Sequence, residues 1–170
     1  MTTAPLLERL SALNAVLARW ALYIACACLA GLLAVVVYGV VMRYAFNDAP
    51  AYVEQVSLLL VISVAMFAAS AGVRDTTHIG MDSLVAIVPA KVRLAAKLLV
   101  QVLTILFALA LILGGGELAL SLRGDTIPTL GISEAFRYAP VVLAGIAITL
   151  FAIEHILALW TGKEVVRSWH

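Results

Sequence analysis

Residues 20–42 read WALYIACACLAGLLAVVVYGVVM, a stretch of 23 residues that lies between Arg19 and Arg43 and contains no charged side chain. A helix needs about 20 predominantly apolar residues to cross the hydrocarbon core of a bilayer. Two further stretches, 55–73 and 98–116, are also uncharged, and a fourth, 138–160, is interrupted by Glu154 and His155 near its end. Each of the four stretches is long enough to span a membrane.

The composition supports the same fold class. Of the 170 residues, 64% are hydrophobic and 12% are charged, whereas about 25% of the residues in soluble domains are charged. We predict an all-α membrane protein with a single domain over residues 1–170 and transmembrane helices at about 20–42, 52–73, 94–117 and 138–160.

The distribution of basic residues predicts the orientation of the helices, because short cytoplasmic loops hold the excess of Lys and Arg. The side with the two termini and the middle loop has eight: Arg9, Arg19, Arg74, Lys91, Arg93, Lys97, Lys163 and Arg167. The opposite side has three: Arg43, Arg123 and Arg137. Both termini are therefore predicted to be cytoplasmic.

Two segments outside the spans have helical patterns. Over residues 5–19, apolar side chains recur at steps of three and four residues, which predicts an amphipathic helix at the membrane interface before the first span. The middle loop repeats the pattern with Met81, Leu84, Val85 and Val88, which predicts a second interfacial helix between the second and third spans. Such helices either anchor the chain or hold a partner subunit, and the sequence leaves both open.

Charged residues inside a span are costly, so each one requires an explanation. Glu154 comes 16 residues after Tyr138, or about 24 Å along the helix, which places it near the cytoplasmic boundary. It is interpreted either as a paired carboxylate or, with His155, as part of a proton relay. At the other side, Arg43 and Glu54 flank the first hairpin and either pair with each other or contact a partner protein.

The sequence contains no recognisable arrangement of residues for catalysis or cofactor binding. The three histidines, His78, His155 and His170, do not cluster at one depth, and no nucleophile has a base at a recognisable spacing. We therefore predict no enzyme, no cofactor and no metal site.

A net charge of +1 without a basic cluster makes nucleic acid an unexpected partner. A self-contained transporter would place polar residues on broken helices at the midplane, and the sequence shows none.

Several short motifs resemble one family. Arg43-Tyr44-Ala45-Phe46-Asn47, then Glu54-Gln55, Gly72-Val73-Arg74, His78-Ile79 and Asp82, and later Pro128-Thr129-Leu130-Gly131-Ile132 and Tyr138 resemble the small membrane subunit of tripartite ATP-independent periplasmic (TRAP) transporters, the DctQ type. Their order and placement on four spans carry the resemblance, which covers nearly the whole chain. Ser133 stands where the resemblance leads us to expect a proline.

The resemblance implies a multi-pass protein of the bacterial inner membrane and a non-catalytic role. A periplasmic binding protein would deliver an organic acid to a large membrane subunit, which would take it up by symport with an ion. This chain would bind the large subunit and widen its scaffold, in contact with membrane lipid.

The resemblance also implies roles for individual residues. Arg43, Tyr44 and Glu54 would stabilise the periplasmic end or a partner contact, and Arg74, His78 and Asp82 would order the cytoplasmic loop. The face that docks the binding protein would include Arg123, Asp125 and Glu134. The alternatives are a self-sufficient small exporter of the multidrug type and a membrane cytochrome subunit.

Overall fold

The computed structural model describes residues 3–76 and 90–161. Its long helices are α1 (Thr3–Ala45), α2 (Ala51–Thr76), α3 (Ala90–Ser121) and α4 (Ala139–Thr161), and a short 3-10 helix, Glu134–Tyr138, precedes α4. The segments long and apolar enough to cross a membrane are Leu10–Ala45, Ala51–Asp75, Leu94–Ser121 and Glu134–Trp160. Within the described residues, the predicted architecture of four membrane-spanning helices without strands is confirmed, whereas the orientation stays a prediction.

Helix α1 is longer than its predicted span because it continues without a break from Thr3 to Ala45. Neither glycine nor proline occurs between Pro5 and Gly31, so nothing in this part of the sequence interrupts the helix. Residues 5–19 are therefore joined to the first span as one helix, and their position at a membrane interface stays a prediction. The predicted interfacial helix of the middle loop lies outside the described residues.

The four helices form two hairpins. Helices α1 and α2 pack antiparallel, as do α3 and α4, and the hairpins meet where α2 runs beside α4 in the same direction. Helix α4 is the most buried of the four. We call the end with the turn 46–50 and the loop 122–138 the loop end, and the opposite end the termini end. Both loops lie on one side of the bundle, as the sequence predicts.

Helix α1 contacts the rest of the bundle along one narrow stripe. Its most buried side chains are small ones, Asn14, Ala18, Ala21 and Ala25, and the half-buried positions continue at the same alternating spacing of four and three residues. This spacing is that of a coiled-coil seam. The remaining faces of α1 are apolar and exposed, which suits a helix surrounded by lipid or by a partner in the membrane.

Two glycines set the closest helix contacts. A Cβ atom on Gly39 of α1 would lie 2.7 Å from Val53 Cγ1 of α2. A Cβ atom on Gly145 of α4 would lie 2.8 Å from Ile112 Cγ1 and 3.1 Å from the backbone oxygen of Ala108, both in α3. Small residues allow such close approach of membrane helices, so each hairpin has a glycine at a contact too close for a larger side chain.

This contact gives a test of the α3–α4 packing. We expect Gly145→Ala to be less stable than Gly114→Ala by about 1–3 kcal/mol, because the added methyl group overpacks the contact with Ile112 and Ala108. Gly114 is the matched control, since a Cβ there would have no neighbour within 4 Å and both changes gain the same helix propensity. Thermal unfolding of the two variants in detergent measures the difference, and equal stability would contradict the close approach.

Candidate functional site: a polar cluster and a charged groove

A buried polar cluster joins three helices at the termini end. It consists of Asn14 from α1, Arg74 from α2, and Glu154 and His155 from α4, none of which is more than 2% exposed. Polar groups this deeply buried in a membrane protein must find partners within the protein, because the hydrocarbon supplies none.

Glu154 is the acceptor at the centre of this cluster. Arg74 donates to it from two nitrogens, Nε to Oε2 at 3.3 Å and Nη2 to Oε1 at 3.2 Å. Asn14 Nδ2 donates to Glu154 Oε2 at 2.7 Å. Arg74 Nη2 also donates to the backbone oxygen of Ser11 at 3.3 Å. The forked guanidinium thus neutralises the carboxylate and ties α2 and α4 to the first part of α1.

The position of Arg74 in α2 explains why its backbone oxygen is in contact with His155. The residue lies in the last turn of α2, where backbone carbonyls lack partners within the helix and a positive charge is favourable. His155 Nε2 lies 3.2 Å from the Arg74 carbonyl oxygen. Because a carbonyl oxygen can only accept, Nε2 carries the proton and donates it. His155 therefore caps α2 from α4.

These contacts decide between the two interpretations of Glu154. The sequence allowed a paired carboxylate or a proton relay, and the structure supplies the pair, with Arg74 as the partner. We expect the role of Glu154 to be neutralisation of charge between helices.

Sequence reasoning missed Gln101 of α3, which is only 2% exposed. Since Gly145 packs at Ala108 and Ile112 and the two helices run antiparallel, Gln101 and Glu154 both lie about two and a half turns from that contact. Gln101 is therefore near the level of the polar cluster. Its Oε1 has no hydrogen-bond partner among the described residues. The signal available in the sequence was its place within the uncharged stretch 98–116, because polar side chains in a span usually face the interior of the bundle.

At the loop end, the second loop is folded. Thr126 and Ser133 form a bridge, and Gly131, at a φ of 67°, allows the tight turn between them. Ser133 caps the 3-10 helix, with its Oγ accepting from the backbone nitrogen of Ala135 and donating to the backbone oxygen of Arg123. A proline at this position would lack that hydroxyl, so the serine that departs from the family pattern has a structural role.

The predicted docking residues at this end differ in their surroundings. Glu134 Oε1 accepts from Arg137 Nη1 at 3.1 Å, and Arg137 Nη2 donates to Gln55 Oε1 of α2 at 2.8 Å. Glu134 therefore belongs to a contact that holds the loop against α2. Arg123 and Asp125 are exposed, and within the described residues their side chains form no ion pair with each other or with a neighbour.

The two sets of polar contacts are separated by about one hydrocarbon thickness. Along α2, Gln55 and Arg74 are 19 residues apart, which corresponds to about 28 Å. The hydrocarbon core is about 30 Å thick. The Arg137–Gln55 contact and the polar cluster therefore connect α2 to the α4 side at two levels that are about one hydrocarbon thickness apart.

Three other predicted residues, Arg43, Tyr44 and Glu54, line a groove between α1 and α2 at the loop end. The possible pairing of Arg43 with Glu54 is not observed: in the part of the chain that the structure describes, neither side chain has an ion-pair or hydrogen-bond partner. Both are exposed. The charges therefore face the surroundings of the groove.

The remaining predictions concern the middle loop and metals. His78 and Asp82 lie outside the described residues, so the role of Arg74, His78 and Asp82 in ordering that loop stays a prediction. Within residues 3–76 and 90–161, no three His, Cys, Asp or Glu side chains come together as a possible metal site.

The polar cluster can be tested by removing one charge or both. We expect Glu154→Gln to lower the free energy of unfolding by up to about 3–5 kcal/mol, because the buried Arg74 loses its forked partner and keeps only Asp75, whose Oδ1 lies 3.8 Å from Arg74 Nη1. The double variant Arg74→Met/Glu154→Leu removes both charges and is expected to be more stable than Glu154→Gln. Unfolding in detergent, followed by circular dichroism, measures both effects.

The matched control is Glu134→Gln, which removes one partner of a pair whose side chains are 20% and 31% exposed. Exposed pairs contribute about 0–1 kcal/mol, so this variant should unfold almost like the unaltered chain. A Glu154→Gln effect as small as that of Glu134→Gln would contradict a buried, neutralised pair.

Comparison with known proteins agrees with the resemblance of the motifs. A family model described as "Tripartite ATP-independent periplasmic transporters, DctQ component" matches residues 32–162. No curated protein matches the chain. The matched region begins within α1 and includes α2, α3, the folded loop and α4, and thus most of both hairpins. The chain therefore belongs to the DctQ family, a component of tripartite ATP-independent periplasmic transporters.

Proposed function

We propose that this chain is the small, non-catalytic membrane subunit of a TRAP transporter in a bacterial inner membrane, with both termini in the cytoplasm. It forms a stationary scaffold with the large membrane subunit. The large subunit carries an organic acid inward, driven by an ion gradient, after a periplasmic binding protein delivers the substrate. Family membership supports the transport system, and the polar contacts support the scaffold role.

The observation that carries the scaffold role is the apolar middle of the bundle. The hydroxyl groups of Ser63, Thr104 and Thr149 each donate to the backbone oxygen four residues earlier in the same helix. These hydroxyl groups are therefore satisfied locally and do not converge on a common point. A solute site at the midplane would need converging polar groups, so the described helices are better suited to support than to transport.

The exporter alternative depends on a carboxylate that can take up and release protons within a span. Glu154 is the carboxylate that comes nearest to this requirement, and it is bound by Arg74 and Asn14. The cytochrome alternative needs histidine ligands, and the described histidine, His155, donates its Nε2 proton to a backbone carbonyl. Absorbance of the purified protein in the haem region tests the cytochrome alternative directly.

Copurification tests the scaffold role. We expect a tag on this chain, expressed beside its neighbouring genes, to recover a much larger membrane protein with many spans. The complex reconstituted with the binding protein should take up an organic acid, and this chain reconstituted alone should not. Recovery of the chain without a partner, together with transport by the chain alone in liposomes, would contradict the proposal.

The exposed charges of the folded loop provide a second test. We propose that Arg123 and Asp125 contact the binding protein, because complementary charges steer such encounters. The exchange Arg123→Glu/Asp125→Lys keeps the net charge. We expect it to reduce uptake at limiting binding protein by about two- to fivefold, since each exposed pair contributes about 0.2–1 kcal/mol.

Saturating binding protein should restore most of the uptake of this variant, because a weakened encounter affects the half-saturating concentration more than the maximal rate. The control is Glu117→Gln, which changes an exposed carboxylate of α3 outside the loop. Equal uptake by the exchange variant and the control at every concentration would remove Arg123 and Asp125 from the docking face.

A further inference from the structure

The groove between α1 and α2 is built entirely from these two helices and the turn that joins them. It encloses about 830 Å³. Its apolar floor consists of Val36 and Val40 from α1 and Leu58 and Val61 from α2. Gly39 of α1 and Val53 of α2, which are in close contact, both line the groove. The packing of the two helices therefore determines how deep the groove is.

The rim of the groove has polar groups that nothing in the described chain satisfies. Arg43 and Glu54 stand on opposite helices, carry opposite charges and are both exposed. Neither has a hydrogen-bond or ion-pair partner within residues 3–76 and 90–161. Further in, Ser57 Oγ is buried and also has no hydrogen-bond partner there. A ligand that supplies an anion, a cation and an acceptor or donor for the hydroxyl would satisfy all three groups.

The aromatic side chains around this rim suit the level of lipid headgroups. Tyr44 is 82% exposed and Phe46 is 69% exposed. The hydroxyl groups of Tyr38 and Tyr52 lie 2.9 Å apart across the two helices. Tyrosine is enriched at the boundary between headgroups and hydrocarbon. The floor at Val61 lies about 10 Å further along α2 than Glu54, at the depth of acyl chains.

We propose that this groove binds one zwitterionic phospholipid of the phosphatidylethanolamine class. The phosphate pairs with the Arg43 guanidinium, and the primary ammonium donates to the Glu54 carboxylate. An acyl chain lies on the apolar floor, and the Ser57 hydroxyl donates to an ester carbonyl of the lipid. This site would fix the α1–α2 hairpin in the leaflet at the loop end, whether or not the chain acts in transport.

The charges favour this lipid over the other common classes. Phosphatidylglycerol supplies an anion for Arg43 but no cation for Glu54, so the carboxylate would stay unpaired beside a second negative group. Phosphatidylcholine supplies a cation without N–H donors, so it cannot form the charge-assisted hydrogen bond to Glu54. A phosphatidylethanolamine molecule has its phosphate and its ammonium close together in the headgroup, above the acyl chains. This order matches the groove, where the charged Arg43 and Glu54 lie at the rim and the apolar floor lies below them.

Native mass spectrometry of the full chain tests the assignment. The purified protein is stripped of lipid in detergent and titrated separately with phosphatidylethanolamine, phosphatidylcholine and phosphatidylglycerol. We expect one molecule of phosphatidylethanolamine to bind more tightly than either of the other lipids. Arg43→Gln and Glu54→Gln should each raise its dissociation constant about tenfold, as expected for the loss of one charge-assisted hydrogen bond. Glu54→Gln should also remove the preference over phosphatidylglycerol.

The matched controls are Arg123→Gln and Glu117→Gln, which remove one cation and one carboxylate near the loop end but outside the groove. Both should bind phosphatidylethanolamine like the unaltered chain. A further variant, Val40→Trp, fills the floor without changing a charge and should weaken all three lipids alike. Circular dichroism and gel filtration verify that each variant is folded before titration.

Two results would overturn the proposal. The first is equal binding of the three lipids, or an equal loss of binding in the groove variants and in the controls, since either shows lipid held by general membrane contact. The second is a photoreactive side chain at position 54 that links to the large membrane subunit of the copurified complex and not to lipid. That result would assign the groove to a protein partner.

Discussion

The structure depends on the fact that hydrocarbon offers no hydrogen-bond partner, so every polar group in it must be satisfied by the protein itself. The fork that Arg74 makes with Glu154 is the clearest consequence, because it places two opposite charges, each 1% exposed, in one neutral contact. Asn14 also donates to Glu154, and His155 donates to the backbone oxygen of Arg74. About 28 Å away along α2, Arg137 binds Gln55 and forms a second polar contact. Between them, the hydroxyl groups of Ser63, Thr104 and Thr149 bond within their own helices.

This constraint explains why the molecule is suited to work beside other subunits. The two hairpins meet through α2 and α4, and α1 contributes only a narrow stripe of small residues. Large apolar surfaces of α1 and α3 consequently remain exposed within the chain itself. In a component of a tripartite transporter, such surfaces suit contact with lipid or with another subunit. The closed middle and the wide exposed faces together favour the proposed scaffold role.

The four spans could be predicted because each is a local property: an uncharged stretch of sufficient length. The position of Glu154 near the end of the fourth span was also predictable, since it follows from counting residues along one helix. The contacts of Glu154 with Asn14 and Arg74 could not be predicted. Asn14 is 140 positions away in the sequence and Arg74 is 80 positions away, and only the packing of the helices determines which distant residues meet. For the same reason, the proximity of Arg43 and Glu54 in sequence did not predict that both would stay unpaired. Glu134 was assigned to the docking face from the resemblance, and its bond to Arg137 three residues later was not predicted.

The central claim is that the middle of this chain has no water-filled path for a solute. Substituted-cysteine accessibility tests it most directly, after Cys26 and Cys28 have been replaced by serine. Single cysteines at Ser63, Ala108, Ala144 and Ile148, all buried, are exposed to a charged thiol reagent that cannot enter the membrane, and a cysteine at Arg123 serves as the reactive reference. The account predicts that only position 123 reacts. A continuous row of reactive mid-depth positions in α2, α3 and α4 would contradict it.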